Sequence, residues 1–405
     1  MTAQQRTRTF DIVLLGATGF TGGLTAEYLA AHLPPSARWA LAGRNQDKLD
    51  AALERLTAAN PDAPRPGLLH ADVSDQDSLR AVAESARVVI TTVGPYLQFG
   101  EPLVAACAAT GTDYVDLTGE PEFVDRMYLA HHRTAAGSGA RIVHACGFDS
   151  IPHDLGALFT LHQLPPEVAM TLRGVVRTNA RISGGTFHSA LGQFARVRTM
   201  RRVRAQRKQI EPQPEGRRVR ARTGKPRRDA DLDTWLLPLP TIDQDVVRRS
   251  AAARTDYGPD FTYSHYADVK RITSLVGAII GFAALLGAAQ VPPLRRLLGS
   301  RLPQGEGPSV EQRARSSFTV DFIGAGGGQR VHTQVRGGDP GYTETAKMLA
   351  EAAMCLAYDD NPHTVGQVTT AAAMGENLTN RLIDAGLVFT ILRTATGYGT
   401  TDHPA

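Results

Sequence analysis

The stretch FDIVLLGATGFTG, residues 10–22, decides the fold. Phe10–Leu15 is an apolar run of strand length, of the kind buried on both faces of a parallel sheet. Gly16, Gly19 and Gly22 follow at GxxGxxG spacing, and Thr21–Ala31 then carries the pattern of a helix. Glycine is needed there for tight turning, for close approach of backbone to a pyrophosphate, and for close helix–strand packing. The start of the helix offers unpaired N–H groups and a positive dipole end to phosphates. Gly16, Ala17, Thr18, Gly19, Phe20, Thr21 and Gly22 are therefore the candidate cradle of a dinucleotide; the alternative is a glycine turn that holds no ligand.

Working outward, short apolar runs recur at 39–42, 68–71, 87–92, 114–116 and 141–144, separated by helical patterns. That alternation predicts a doubly wound parallel α/β sheet, a Rossmann domain over residues 8–155. The end of the second strand chooses the cofactor. Readers of NAD place an acid there for the ribose 2′-OH. This chain has Ala42-Gly43-Arg44-Asn45, and a guanidinium suits a 2′-phosphate, so NADPH is expected, with Arg44 as its reader. Asp72, after the third strand, is placed either near the adenine amino group or in a helix cap. Val93, Gly94 and Pro95 form a turn after the fourth strand, at the carboxyl edge where ligands sit in open α/β sheets.

Past residue 155 the pattern changes. A second α+β domain is expected over 156–340, with a hairpin around Gly324–Gly328. Helices at 342–358 and 378–385 suggest a C-terminal segment, 341–395, that packs back on the first domain. Residues 196–228 hold 14 of the 44 Lys and Arg against Glu211 and Glu215, while the rest of the chain carries 30 basic and 38 acidic residues. The basic character thus belongs to one segment. It lacks interleaved aromatics and any nucleic-acid motif, so no nucleic-acid partner is expected. A solvated loop, contact with an acidic carrier protein and contact with an anionic membrane are its alternatives. Residues 272–289 are 18 uncharged residues between Lys270-Arg271 and Arg295-Arg296. They suit a buried or homodimer-interface helix or a peripheral membrane contact better than a span, which needs about 20 apolar residues. Three cysteines without metal-ligand spacing, and no signal-peptide pattern, suggest a cytoplasmic protein, with the inner membrane face as the place of any peripheral contact. No metal site is expected.

Taken together, GATGFTG (16–22), AGR (42–44), VGPY (93–96), YVDLTGE (114–120) and CGFDSIPHDLG (146–156) resemble the saccharopine dehydrogenase-like superfamily. The chain is more closely similar to the trans-acting enoyl reductases of mycobacteria and related actinobacteria, over nearly its full length. GQVTTAAAMG (366–375) matches as well, with Thr370 where family members often have proline. The resemblance implies an NADPH-dependent reductase of an α,β-unsaturated thioester in lipid or polyketide biosynthesis. Such an enzyme works in trans on an intermediate held by an acyl carrier protein or polyketide synthase. A saccharopine-type C–N dehydrogenase and a membrane-associated NADPH-binding scaffold with little turnover remain the alternatives.

Enoyl reduction needs a polarised carbonyl and a proton at Cα, in addition to hydride. Four residues are candidates. Tyr96 follows VGP and either donates to the carbonyl or closes the pocket wall. Asp149 and His153 follow the sixth strand and, with Ser150, bind substrate or relay a proton; the alternative for Ser150 is to cap the next helix. His188 is the candidate from the second domain. Glu120 either orders the cofactor pocket or begins a helix.

Overall fold

The computed structural model describes residues 8–180, 193, 196–274, 277, 281, 287, 294 and 307–396. Its first six strands are β1 (Phe10–Leu15), β2 (Trp39–Gly43), β3 (Gly67–His70), β4 (Ala86–Thr91), β5 (Asp113–Asp116) and β6 (Arg141–Val143). Then come β7 (Met170–Thr178), β8 (Arg218–Ala221), β9 (Arg227–Asp229), β10 (Thr234–Pro238) and β11 (Asp260–Val269). The last are β12 (Phe318–Gly326), β13 (Gln329–Gly337), β14 (Gly366–Val368) and β15 (Val388–Thr396).

One sheet runs β14-β6-β5-β4-β1-β2-β3, all parallel. This is a Rossmann sheet extended at one edge. Its central strands are buried on both faces. Ile12, Leu14, Leu41, Val88 and Ile90 enter one core. Val13, Leu15, Ala40, Ala42 and Val89 enter the other. Each such Val, Leu or Ile side chain stabilises by about 1.5–3 kcal/mol relative to exposure, which is why β1 reads as apolar from Ile12 to Leu15. The helix Thr343–Tyr358 is buried almost all round, and lies against the helix Phe20–His32 and against β1, β4 and β5. Tyr28 donates to Glu351 across that contact at 2.7 Å.

The second sheet runs β15-β13-β12-β7-β11-β10-β9, with β8 on β11. The helix Ile151–Leu161 joins the two layers, leaving the end of β6 and lying on β12 and β13. Gly156 makes that contact close: a Cβ there would stand 2.3 Å from the Phe322 ring.

Two expectations are revised. Residues 341–395, read as helices, also supply β14 and β15, one strand to each sheet. β14 has three residues, too few for a period. Most of β15 is exposed, so it lacks a buried alternation. The basic segment is not a plain solvated loop. It forms the helix Val197–Ile210 and strands β8 and β9, with Arg196, Arg204 and Arg207 in ion pairs with Glu122, Asp245 and Asp125. His188 and most of 272–289 lie outside the described residues. Among the described residues no helix is long and apolar enough to cross a membrane.

Candidate active site

The site is built at the carboxyl edge of the first sheet. Gly16 leaves β1 with φ +98°, a left-handed conformation that costs glycine little. A Cβ at Gly22 would stand 2.0 Å from the Gly16 carbonyl oxygen, so the third glycine is fixed by packing. Gly19 differs: the nearest atom to a Cβ there is 3.5 Å away. Packing does not require a glycine at this exposed position, and its absent side chain leaves room for an outside group to approach the backbone. The helix Phe20–His32 begins at Gly19 with no side-chain cap and no acid in its first turn. Its leading N–H groups lack intrahelical acceptors. Ala17 is buried behind this turn, Thr18 is exposed, and Thr21 and Phe20 open the helix. The Phe20 ring meets Tyr342 edge-on at 5.0 Å. A pyrophosphate fits this cradle.

Arg44 stands exposed just past β2 and makes no ion pair among the described residues. Its neighbour Asp72 accepts from the Ser74 N–H at 2.9 Å and from the Ser74 hydroxyl at 2.7 Å. Those bonds, with help from the Arg44 charge, hold its carboxyl below the usual range. Asp75, not Asp72, caps the following helix. Val93 lies against the glycine turn, 2.9 Å from where a Gly16 Cβ would be. Gly94 and Pro95 complete the turn after β4, and their peptide bond is cis.

Tyr96 is buried, and its hydroxyl donates to the Thr91 carbonyl at 3.1 Å and accepts from the Leu117 N–H at 3.2 Å. Burial, followed by the Asp116 charge, pushes its pKa well up. The Tyr96 hydroxyl is thus engaged on both sides by backbone groups. Glu120 accepts from the N–H groups of Tyr96 and Leu97 at 3.2 and 3.0 Å, and so orders the turn after β4.

Asp149 is better placed. A Cβ on Gly119, at the exit of β5, would lie 2.6 Å from Asp149 Oδ2, so the carboxyl sits on the backbone at the sheet edge. Burial and the nearby Asp243 charge push it up to about 6, with His153 pulling the other way. Ser150 starts the helix Ile151–Leu161 without capping it; its hydroxyl donates to the Ala145 carbonyl at 2.6 Å. His153 is buried, with Nδ1 2.8 Å from Asp243 Oδ1. Its ring meets Phe148 and His265 edge-on, at 5.6 and 4.8 Å. Burial acts to raise Asp243, but His153, with His265 and the Thr241 hydroxyl, holds it below the usual range. Burial drives His265 down to about 3, so its ring is neutral, and Tyr263 lies 3.2 Å from its Nδ1. His153, Asp243 and His265 bring their ligand atoms within 4.8 Å of one another, a spacing that a metal ion could use.

Sequence reasoning missed Asp243, His265 and Tyr263. A signal for two of them exists in β11, where Phe261, Tyr263 and His265 alternate inward with Thr262 and Ser264.

A cavity of about 300 Å³ lies among the helices Pro121–Ser138 and Ile242–Ala253 and β14. Val124, Ile242, Val246, Ala253 and Ala372 give it apolar walls, and Ile242 is the chain neighbour of Asp243. The two arginines lining it are neutralised: Arg207 and Arg249 both pair with Asp125 and Glu211. His144 also lines it and is oriented by Asp116, Nδ1 to Oδ2 2.7 Å.

The glycine cradle, the exposed Arg44 and the carboxyl-edge cluster are the arrangement of an NADP-dependent oxidoreductase. In agreement, residues 12–143 match the saccharopine dehydrogenase NADP binding domain. The fold as a whole is like that of the saccharopine dehydrogenase (L-Glu forming) of Saccharomyces cerevisiae, with TM-score 0.56 and 12% identity over 95% of this chain and 100% of that one. Two relatives are much nearer in sequence. A Mycobacterium tuberculosis protein named as a trans-acting enoyl reductase is 38% identical, covering 96% of this chain and 99% of its own. The trans-acting enoyl reductase of Mycobacterium leprae is 36% identical, covering 94% and 97%. The chain belongs to the trans-acting enoyl reductase family, and its cofactor is NADPH.

Proposed function

We propose that this protein reduces the carbon–carbon double bond of an α,β-unsaturated thioester in lipid or polyketide assembly, brought to it in trans by a carrier. The observation that carries this reading is Asp149: a carboxyl at the sheet edge, raised to about 6, beside a buried His–Asp pair. NADPH, when bound, supplies a hydride. Residues 16–22 would hold its pyrophosphate and Arg44 its 2′-phosphate, and the turn Val93-Gly94-Pro95 would line the same site. Asp149, protonated, gives its proton to the substrate Cα and regains one from solvent. His153 and Asp243 position it and set its charge. Residues 8–155 thus serve the cofactor and 156–340 much of the substrate side.

The apolar walls of the cavity beside Ile242 suit an acyl chain. Its paired arginines leave little free cation for the several carboxylates of a saccharopine-type substrate. Contact of 272–289 with the inner membrane face belongs to the same proposal, supported by its uncharged run between basic pairs. Co-sedimentation with anionic vesicles, with and without that stretch, checks it.

The test of the activity is NADPH oxidation by the purified protein with a long-chain 2-enoyl thioester. Turnover needing both components is expected. The Asp149→Asn variant should retain NADPH binding and lose about 10²–10⁴-fold in kcat, the usual worth of a positioned acid. In the wild type, kcat should fall as pH rises through about 6, because the acid form is the donor. Activity of Asp149→Asn equal to wild type would remove Asp149 from the mechanism. Wild-type turnover of saccharopine with no turnover of the enoyl thioester would replace the reaction.

A further inference from the structure

We propose that the outer face of the helix Val197–Ile210 is the docking surface for the acidic carrier protein that delivers the thioester. The proposal rests on the reading above for what the carrier holds. Most arginines of the basic segment are used by the fold. Arg196, Arg204 and Arg207 pair with acids of neighbouring helices, and Arg217 donates to the carbonyls of Ala251, Arg254 and Gly258. Two exposed cations without an ion pair among the described residues, Arg222 and Lys225, lie beyond the helix. Four more, Arg198, Arg201, Arg202 and Lys208, lie on it.

They fall on one side of the helix. Positions 198, 201 and 202 are three and four residues apart, and 208 follows 201 by two turns. The helix contains no acid to offset them, and Arg198 lies in its first turn, where the helix dipole disfavours a cation. Local stability therefore does not account for the cluster, whereas an acidic partner would relieve it.

The placement points to the reaction site. Just before the helix, Gln193 donates to the Gly119 carbonyl at 3.0 Å, and Gly119 carries Asp149 on its other side. Arg196 grips Glu122, in the first turn of the helix that leaves β5. A protein seated on Arg198, Arg201 and Arg202 thus stands beside the exit of β5, where a flexible thioester arm can enter.

A protein suits this face better than a lipid surface does. A helix that lies in a membrane buries an apolar face. Here the outward positions are Arg198, Arg201, Arg202, Ala205, Lys208 and Gln209, and Val203 is turned inward. Ile210, in the last turn, is the large apolar residue left exposed.

The test compares wild type with an Arg198→Gln/Arg201→Gln/Arg202→Gln variant on one enoyl group carried two ways, on an acyl carrier protein and on a small free thiol. The expected result is a KM for the carrier-bound form raised about tenfold or more, and a weaker dependence on salt. Turnover of the free thioester should be unchanged, which also reports correct folding. Equal KM values for the carrier-bound form would overturn the proposal. If the wild type reduces neither thioester, the proposed activity has failed, and docking is read separately by titrating the carrier protein without substrate. Salt-sensitive binding that the variant loses sustains the surface; no binding to wild type overturns it. Loss of binding to phosphatidylglycerol vesicles with carrier binding intact would assign the face to a membrane and overturn it too.

Discussion

At the scale of single residues, the decisive contrast is between two side chains that the sequence offers on equal terms. Tyr96 and Asp149 both follow strands at the same sheet edge. The Tyr96 hydroxyl is committed to Thr91 and Leu117, while the Asp149 carboxyl is raised into a range where it can exchange a proton near neutrality. Motif spacing cannot separate them, because each environment is made by chain far away. Cofactor choice is more local. Arg44 is exposed and follows β2 directly, so Arg44→Ala should weaken NADPH by about 10- to 100-fold, in keeping with one lost charge-assisted contact of roughly 1.5–3 kcal/mol. NADH binding should hardly change. Fluorescence titration with both nucleotides checks this, and equal losses would remove the case for 2′-phosphate recognition. Asp149 also makes a stability forecast. Its folded pKa is above the ordinary carboxylate value, so its contribution is greatest at low pH and is lost as pH rises through about 6. Thermal melts of Asp149→Asn against wild type should therefore shift in favour of the variant between pH 5 and pH 8.

Among the elements, the glycine turn is the most constrained. Gly22→Ala puts a methyl 2.0 Å from the Gly16 carbonyl oxygen, and backbone cannot yield as a side-chain tip can. A destabilisation of about 1–3 kcal/mol is expected, with a larger loss of NADPH affinity because the cradle must open. Gly19→Ala meets no such clash, and should keep its melting temperature while losing NADPH. If the two variants behaved alike by melting and by titration, the separation of packing glycine from ligand glycine would be wrong. Much of this was legible in sequence. β1, β2 and β4 to β6 declare themselves because their burial follows from their own apolar residues, and the glycines because they follow β1 at fixed spacing. β14 does not, since its place is set by pairing with β6. Asp243 and His265 went unnoticed because their meaning comes from His153, brought to them by the helix Ile151–Leu161 from the other sheet.

For the whole molecule, the C-terminal segment ties everything. The helix Thr343–Tyr358 covers the first sheet, β14 extends it, and β15 extends the second. Arg381 reaches back to both Glu351 and Asp359, locking the last helix onto that cover. A chain ending at residue 340 should therefore not fold as a free cofactor domain, despite holding every motif of one. Limited proteolysis and NADPH titration of that truncation check this; a protease-resistant fragment that binds NADPH would show the first sheet to be self-sufficient. The same wiring has a consequence for synthesis. A ribosome adds roughly 5–20 residues per second, so β1 to β6 emerge well before the helix that is to shield them. The nascent chain therefore carries one face of that sheet incompletely covered while about 200 further residues are added, and the two sheets are tied only once residues 343–396 follow.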